Sequence, residues 1–285
     1  MDIVFTIGLD AVCYILTLLL VSIGLVIIFG MMNVINMAHG EFFLLGAYSV
    51  VVVQGFGGPF WLALLTALVA VALIGLIVEE LVVSRIYHRV LDTILATWGV
   101  SLVIKQTIIV IFGPASQQVT TPLPDAVHFL GIVYPSYRLF IMAIAVVVAG
   151  LTFLVLYKTN FGLIARGVIA NRNMADCLGL NTRRIDRATF AFGSGLAGLS
   201  GAIMAPLMSV DPQMGLGFFL PGFLSILVGG AGSPVGALWG STFVGGAGSI
   251  ISAIKTPVVS QIIIFSMAVV IIRIFPNGIA GRKKR

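Results

Sequence analysis

Long apolar runs constrain this sequence more than any other feature. Residues 12–29, 60–83, 93–112, 139–157, 188–210, 235–253 and 258–275 are mostly apolar, and 41–53 and 218–228 share that character over shorter lengths. A helix needs roughly 20 such residues to cross the hydrocarbon core of a bilayer. A spanning strand needs only about ten, alternating apolar with polar, and these runs are continuous instead. Charged residues make up 9% of the 285, against about 25% in a soluble domain, too little polar surface to coat a water-facing protein of this size. The expected structure is all-α: a polytopic transmembrane bundle of about eight spans, in one domain over 1–285. The runs beginning near Glu41 and Phe218 are too short to cross unaided and lie beside breaks rich in glycine or polar residues. They are expected to be short or broken helices.

The net charge of +6 reads as membrane anchoring rather than as a nucleic-acid surface, because loops on the cytoplasmic side collect Lys and Arg. Arg85 and Arg89 flank one break. Lys158, Arg166, Arg172, Arg183, Arg184 and Arg187 fill another, and Arg282, Lys283, Lys284 and Arg285 close the sequence. Placing these in the cytoplasm puts the N-terminus outside and the C-terminus inside. The first run has no Lys or Arg before it, so it reads as a retained helix and not a cleaved signal. On this topology the turn at 31–40 should be cytoplasmic, yet it carries no Lys or Arg. It reads as a break within the membrane. Cys13 and Cys177 are read as unpaired. The stretch 113–137, with Pro114, Pro122, Pro124 and Pro135, reads as an external loop, since proline lacks the donor that helices and central strands require.

Four groups of residues stand out. Asn33, Asn36, His39 and Glu41 crowd the first break. Irregular backbone at membrane depth survives only inside protein or along a water-filled cavity, so these side chains either satisfy a turn or line a pathway. One His and one Glu at this spacing make a weak metal signature, and no metal is expected. Gly232, Gly236 and Gly240 recur every fourth residue, as do Ser194, Gly198 and Ala202, and Ala197 with Gly201. Small residues at that spacing let helix backbones approach closely, for packing or for a narrow pore. The interruption at Gly229, Gly230 and Pro234 is read as the counterpart, in a second repeat, of the break near Asn36, as transporters built from two halves have it. The stretch 158–187 holds six basic residues in thirty, more than orientation alone demands. It reads as a short helix started by Asn171 or Asn173 and ended by Gly179, with Ala175 and Gly179 leaving a smooth surface between the charges. Finally, Lys105 lies inside an apolar run, where an unpaired ammonium costs several kcal/mol. Glu79 and Glu80 read as a solvated helix end. No phosphate-binding G-x-x-x-x-G-K-[ST] loop occurs, so the chain is not expected to hydrolyse ATP.

These motifs resemble a known family. Ile35-Asn-Met-Ala-His-Gly-Glu41 with Leu45-Gly-Ala-Tyr48 resembles the first half of the branched-chain amino acid ABC permeases of the LivH type. Asn171-Arg-Asn-Met-Ala-Asp-Cys-Leu-Gly179, followed by Thr189-Phe-Ala-Phe-Gly-Ser-Gly-Leu-Ala-Gly-Leu-Ser-Gly201, resembles its coupling segment and next helix. Leu227-Val-Gly-Gly-Ala-Gly-Ser-Pro-Val-Gly-Ala237 is similar to its later glycine-rich segment. Residues 92–101 and 171–187 look closest to the urea and short-amide branch, while Ala165-Arg-Gly167 departs from the usual pattern. The resemblance implies a multi-pass permease in a bacterial inner membrane that is not itself an enzyme. Its partners would be a second related permease, two cytosolic ATPases carrying ATP and Mg, and a periplasmic binding protein. It implies coupling to the ATPases through Arg166, Asn171, Arg172, Ala175, Gly179, Arg183 and Arg184. The rival readings are an ATP-independent transporter or channel, and a membrane-embedded enzyme.

Overall fold

The computed structural model describes residues 2–32, 34–86, 89–129, 132–230, 232–275 and 278–280. Asn33 and the basic residues Arg282, Lys283, Lys284 and Arg285 lie outside the described residues. The chain is helical almost throughout: α1 Asp2–Met32, α2 His39–Gly55, α3 Phe60–Leu81, α4 Val90–Phe112, α5 Ser136–Lys158, α6 Asn160–Ala170, α7 Arg172–Cys177, α8 Thr182–Met204, α9 Met214–Gly229, α10 Pro234–Ile254 and α11 Pro257–Ile274. Among the described residues, six helices are long and apolar enough to cross a membrane. At 1.5 Å per residue, α2 and α9 reach about 25 Å, short of the roughly 30 Å hydrocarbon core. With α11, these two short helices alternate in direction with the long ones, so that Asp2 and Ile274 lie at opposite ends of the bundle. One end carries α6 and α7 and is called here the basic end. The other carries a hairpin of β1 Ala126–Phe129 and β2 Ile132–Pro135, the structured piece of the proline-rich loop.

At the hairpin end, the Arg138 guanidinium pairs with Asp10, and the Tyr134 hydroxyl donates to the same carboxylate at 3.0 Å. Burial first, and then the Asp10 carboxylate, push the Tyr134 phenol up to about 12, so it remains a neutral donor.

The core is organised by close helix contacts. α8 lies against α1, α2 and α3. A Cβ added at Gly24 would sit 2.6 Å from the Gly193 carbonyl oxygen, and one at Gly193 would sit 2.7 Å from that of Gly24. Gly40 and Gly215 oppose each other in the same reciprocal way, at 2.6 Å each. Exchanging α1, α2 and α3 for α8, α9 and α10 preserves the packing: α1 meets α10 as α8 meets α3, and α2 meets α9. Since α1 runs toward the basic end and α8 away from it, the two halves are inverted repeats. The break before α2 therefore corresponds to the segment 205–213 before α9, and not to the turn at Gly229, Gly230 and Pro234. That turn lies between α9 and α10 and matches the turn between α2 and α3.

The glycine series divides by position. A Cβ at Gly198 would meet Val71 at 2.6 Å, and one at Gly201 would strike the Phe43 carbonyl. Gly236 and Gly240 press in the same manner on the backbone of α9. Gly232 does not: it precedes the first residue of α10, and nothing lies within 4 Å of a Cβ there. Its spacing of four from Gly236 has no meaning because no helix runs through both.

Beyond α11 the chain returns to the basic end of α9. The Ile279 and Ala280 amides donate to the carbonyls of Val228 and Gly229 at 2.8 and 2.9 Å. Gly278, with φ +76°, permits this approach, since a Cβ there would run into the Gly230 backbone.

Replacing Gly201 by Leu should lower the thermal unfolding midpoint of the detergent-solubilised chain by the equivalent of about 3 kcal/mol or more. Gly99, around which nothing lies within 4 Å, should accept Ala without loss, and equal losses at the two sites would refute the packing role.

Candidate functional site

Two places gather the polar side chains. The first is a cluster at mid-depth, built where the two short helices begin. Residues 34–36 run without helical pairing before α2, so their backbone groups need other partners. Asn36, fully buried, accepts from the Ala38 amide at 3.0 Å through Oδ1. The Met37 amide donates to the Thr97 hydroxyl at 3.1 Å. His39 Nε2 lies 3.3 Å from the Val21 carbonyl; a carbonyl can only accept, so Nε2 carries the proton. This contact pins the start of α2 to the middle of α1. Asn36 and His39 thus hold the break together.

Asn36 Nδ2 and His39 Nδ1 are left without hydrogen-bond partners, and so is one oxygen of Glu41. Glu41 is 2% exposed. Its Oε1 accepts from the Ser101 hydroxyl at 3.0 Å, while Oε2 has no hydrogen-bond partner. That side of the residue faces Gly215, in the first turn of α9: a Cβ on Gly215 would lie 3.2 Å from Oε2. Lys105 stands one turn beyond Ser101 on α4, within electrostatic reach of Glu41, and its Nζ donates to Gln213 Oε1 at 3.4 Å. The half-buried ammonium therefore has an amide acceptor, which offsets part of its cost inside an apolar helix. Thr93, Thr97, Ser101 and Lys105 recur every fourth residue, one polar stripe down α4. That spacing is visible in the sequence, but each hydroxyl alone gives no signal apart from the lysine that ends the stripe. Gln213 had no comparable signal.

The second place is the hook at the basic end. Thr159 caps α6, its hydroxyl accepting from the Gly162 amide at 3.2 Å. Gly162, Ala165 and Val168 face inward at helical spacing. The Ala165-Arg-Gly167 run leaves α6 unbroken: Ala165 packs inside, Gly167 faces out, and the Arg166 guanidinium carbon stacks 4.8 Å from the Tyr157 ring centre. Asn171 starts α7, accepting from the Met174 amide at 3.1 Å. Gly179, at φ +79°, ends it: the Leu180 amide reaches back to Ala175 and the Gly179 amide to Asp176. This is the pairing of a Schellman motif.

Ala175 is buried against Val83 and Val168, so it belongs to the base of the hook and not to its surface. Facing outward are Met174, Asp176, Leu178, Gly179, Arg183 and Arg184, among others. Arg172 and Arg183 spend their charge within the chain. Arg172 pairs with fully buried Asp186 at 2.5 Å, and Arg183 with Glu80 at 2.9 Å. Arg187 joins both Glu79 and Glu80. Glu79 is fully buried and is no solvated helix end. It ties the end of α3 to the start of α8.

Arg172→Ala leaves the Asp186 carboxylate buried without its guanidinium. The expected cost is about 3 kcal/mol, read as a lower midpoint in thermal unfolding, while Arg184→Ala leaves the midpoint unchanged.

Among the described residues, no cluster of three or more His, Cys, Asp or Glu could hold a metal. Residues 8–272 match the family described as the permease component of branched-chain amino acid transport systems. The high-affinity branched-chain amino acid transport system permease protein LivH of Escherichia coli K12 is 24% identical, covering 93% of this chain and 92% of the relative. A probable LivH permease of Methanocaldococcus jannaschii is 27% identical over 95% and 90%. The guanosine ABC transporter permease NupQ of Bacillus subtilis is 27% identical over 76% and 73%.

Proposed function

The chain belongs to the branched-chain amino acid permease family, and from that premise we propose that it is the membrane subunit of an ATP-driven importer for a small zwitterion, such as a branched-chain amino acid. One observation carries the substrate class: a carboxylate and an ammonium, Glu41 and Lys105, stand beside the starts of α2 and α9, bonded to Ser101 and Gln213 and about one turn of α4 apart. Glu41 Oε2, free of other bonds, suits a substrate ammonium. Lys105, whose present partner is a neutral amide, suits a substrate carboxylate. An uncharged amide such as urea would use neither charge fully, and a nucleoside likewise.

The outward side of α4 supports a second permease subunit closing the pathway. Gln106 is exposed within this helix, where lipid would leave its amide unbonded. The hook supports cytosolic ATPases as the drivers. Met174 and Leu178 expose apolar surface beside Arg184, and the ion pairs to α3 and α8 make the hook continuous with the core. The basic end would then face the cytosol and the hairpin a periplasmic binding protein. Family membership favours this reading over an ATP-independent transporter, which would need no hook.

The test is uptake by the reconstituted complex of two permeases, ATPases and binding protein. Glu41→Gln and Lys105→Gln should each lower ATP-driven amino acid uptake about tenfold, with subunit co-purification unchanged. Wild-type uptake by both variants would remove the cluster from the pathway, and uptake without ATP would remove the importer reading.

A further inference from the structure

A cavity of about 140 Å³ lies at the basic end, where α1, α5, α6 and α8 meet the turn into α10. It plays no part in the mid-depth cluster. Thr189 borders it. Threonines inside helices normally donate to the carbonyl one turn back, and Thr17, Thr93, Thr97, Thr107, Thr152 and Thr242 do so here. Thr189 does not. It is 1% exposed, and its hydroxyl has no hydrogen-bond partner. A buried hydroxyl left unbonded is costly, unless a ligand in the cavity completes it.

The other polar groups around this cavity are donors. Arg166 Nε is bound to the Gly162 carbonyl at 3.2 Å, and the guanidinium is stacked on Tyr157. Its plane is thereby fixed, with the two terminal amino groups left for an acceptor. Ser233 accepts from the Gly236 amide at 3.4 Å, which leaves its proton to donate elsewhere. Pro234 begins the 21-residue α10, so the positive end of that helix dipole points here. Among the described residues no carboxylate lines the cavity, and its remaining walls include Val26, Ile27, Phe161 and Ile169.

A fixed cation, a helix start and two hydroxyls facing apolar walls make a site for an anion with little else attached. We propose that this cavity binds a phosphate group, either the headgroup phosphate of a membrane lipid or free inorganic phosphate. Bound there, it would join α6 to the start of α10 and so stiffen the base of the hook. The proposal does not depend on the transported substrate.

The test uses the full chain in lipid-depleted detergent. Short-chain phosphatidylglycerol and sodium phosphate are titrated in separate arms while thermal unfolding is followed. The wild-type midpoint should rise by about 3 °C or more at saturation. Thr189→Val and Arg166→Gln should lose most of that rise, and Thr189→Ser should keep it. A rise with phosphatidylglycerol alone assigns the site to lipid, and a rise with inorganic phosphate assigns it to the free anion. No rise in either arm, or an equal rise in wild type and Thr189→Val, overturns the proposal.

Discussion

Everything in this bundle depends on backbones touching backbones. Lipid tails are as apolar as leucine, so burying leucine against leucine inside a membrane gains little, and helices associate through close contact instead. Gly24 with Gly193, Gly40 with Gly215, and Gly201 with the Phe43 carbonyl remove the side-chain layer between helices. α8 can then lie against three neighbours at once. The contact at Gly40 and Gly215 has a further effect. It brings together the first turns of the two short helices, and that juxtaposition sets the pairs Glu41–Ser101 and Gln213–Lys105 on successive turns of α4.

The charges follow a similar economy of position. Among the described residues, Arg172 and Arg187 turn inward to acids on α3 and α8, while Arg183 pairs with Glu80 at the surface and stays exposed together with Arg184. The hook is consequently braced against two core helices rather than hung from a loop. A push on Met174 or Leu178 reaches Asp186 through α7 and Arg172, and reaches Glu79 and Glu80 through the first turns of α8. Because α8 continues for 23 residues, the same rigid element carries both the braced end and the glycine face packed on α1.

Much of this was legible in the sequence, and the parts that were not share a cause. Apolar length marked the spans, and the capping residue Asn171 and the helix-ending Gly179 marked α7, because each signal is local. Burial of Ala175 and Glu79 was misread because it depends on which way a short segment folds back, and nothing local decides that. Gly232 failed for a related reason: spacing predicts a shared face only where a helix runs through all its members. The repeat leaves a trace in the sequence, but the glycine-rich turn is a stronger local signal than its actual second break. The true counterpart, 205–213, is an irregular stretch whose role appears only once α2 and α9 are seen to meet. The stripe of Thr93, Thr97, Ser101 and Lys105 was readable, since its period is that of the helix. Its significance came from the partners that the break before α2 presents to it.

The strap at 278–280 bears on the order in which the molecule can be finished. The carbonyls of Val228 and Gly229 sit at the end of α9, where no later turn of the same helix can satisfy them. Their donors, Ile279 and Ala280, follow α10 and α11 in the chain. Those two oxygens gain their donors only from a segment about fifty residues further along the chain. The end of α9 is thus closed by backbone that exists only once α10 and α11 have been made.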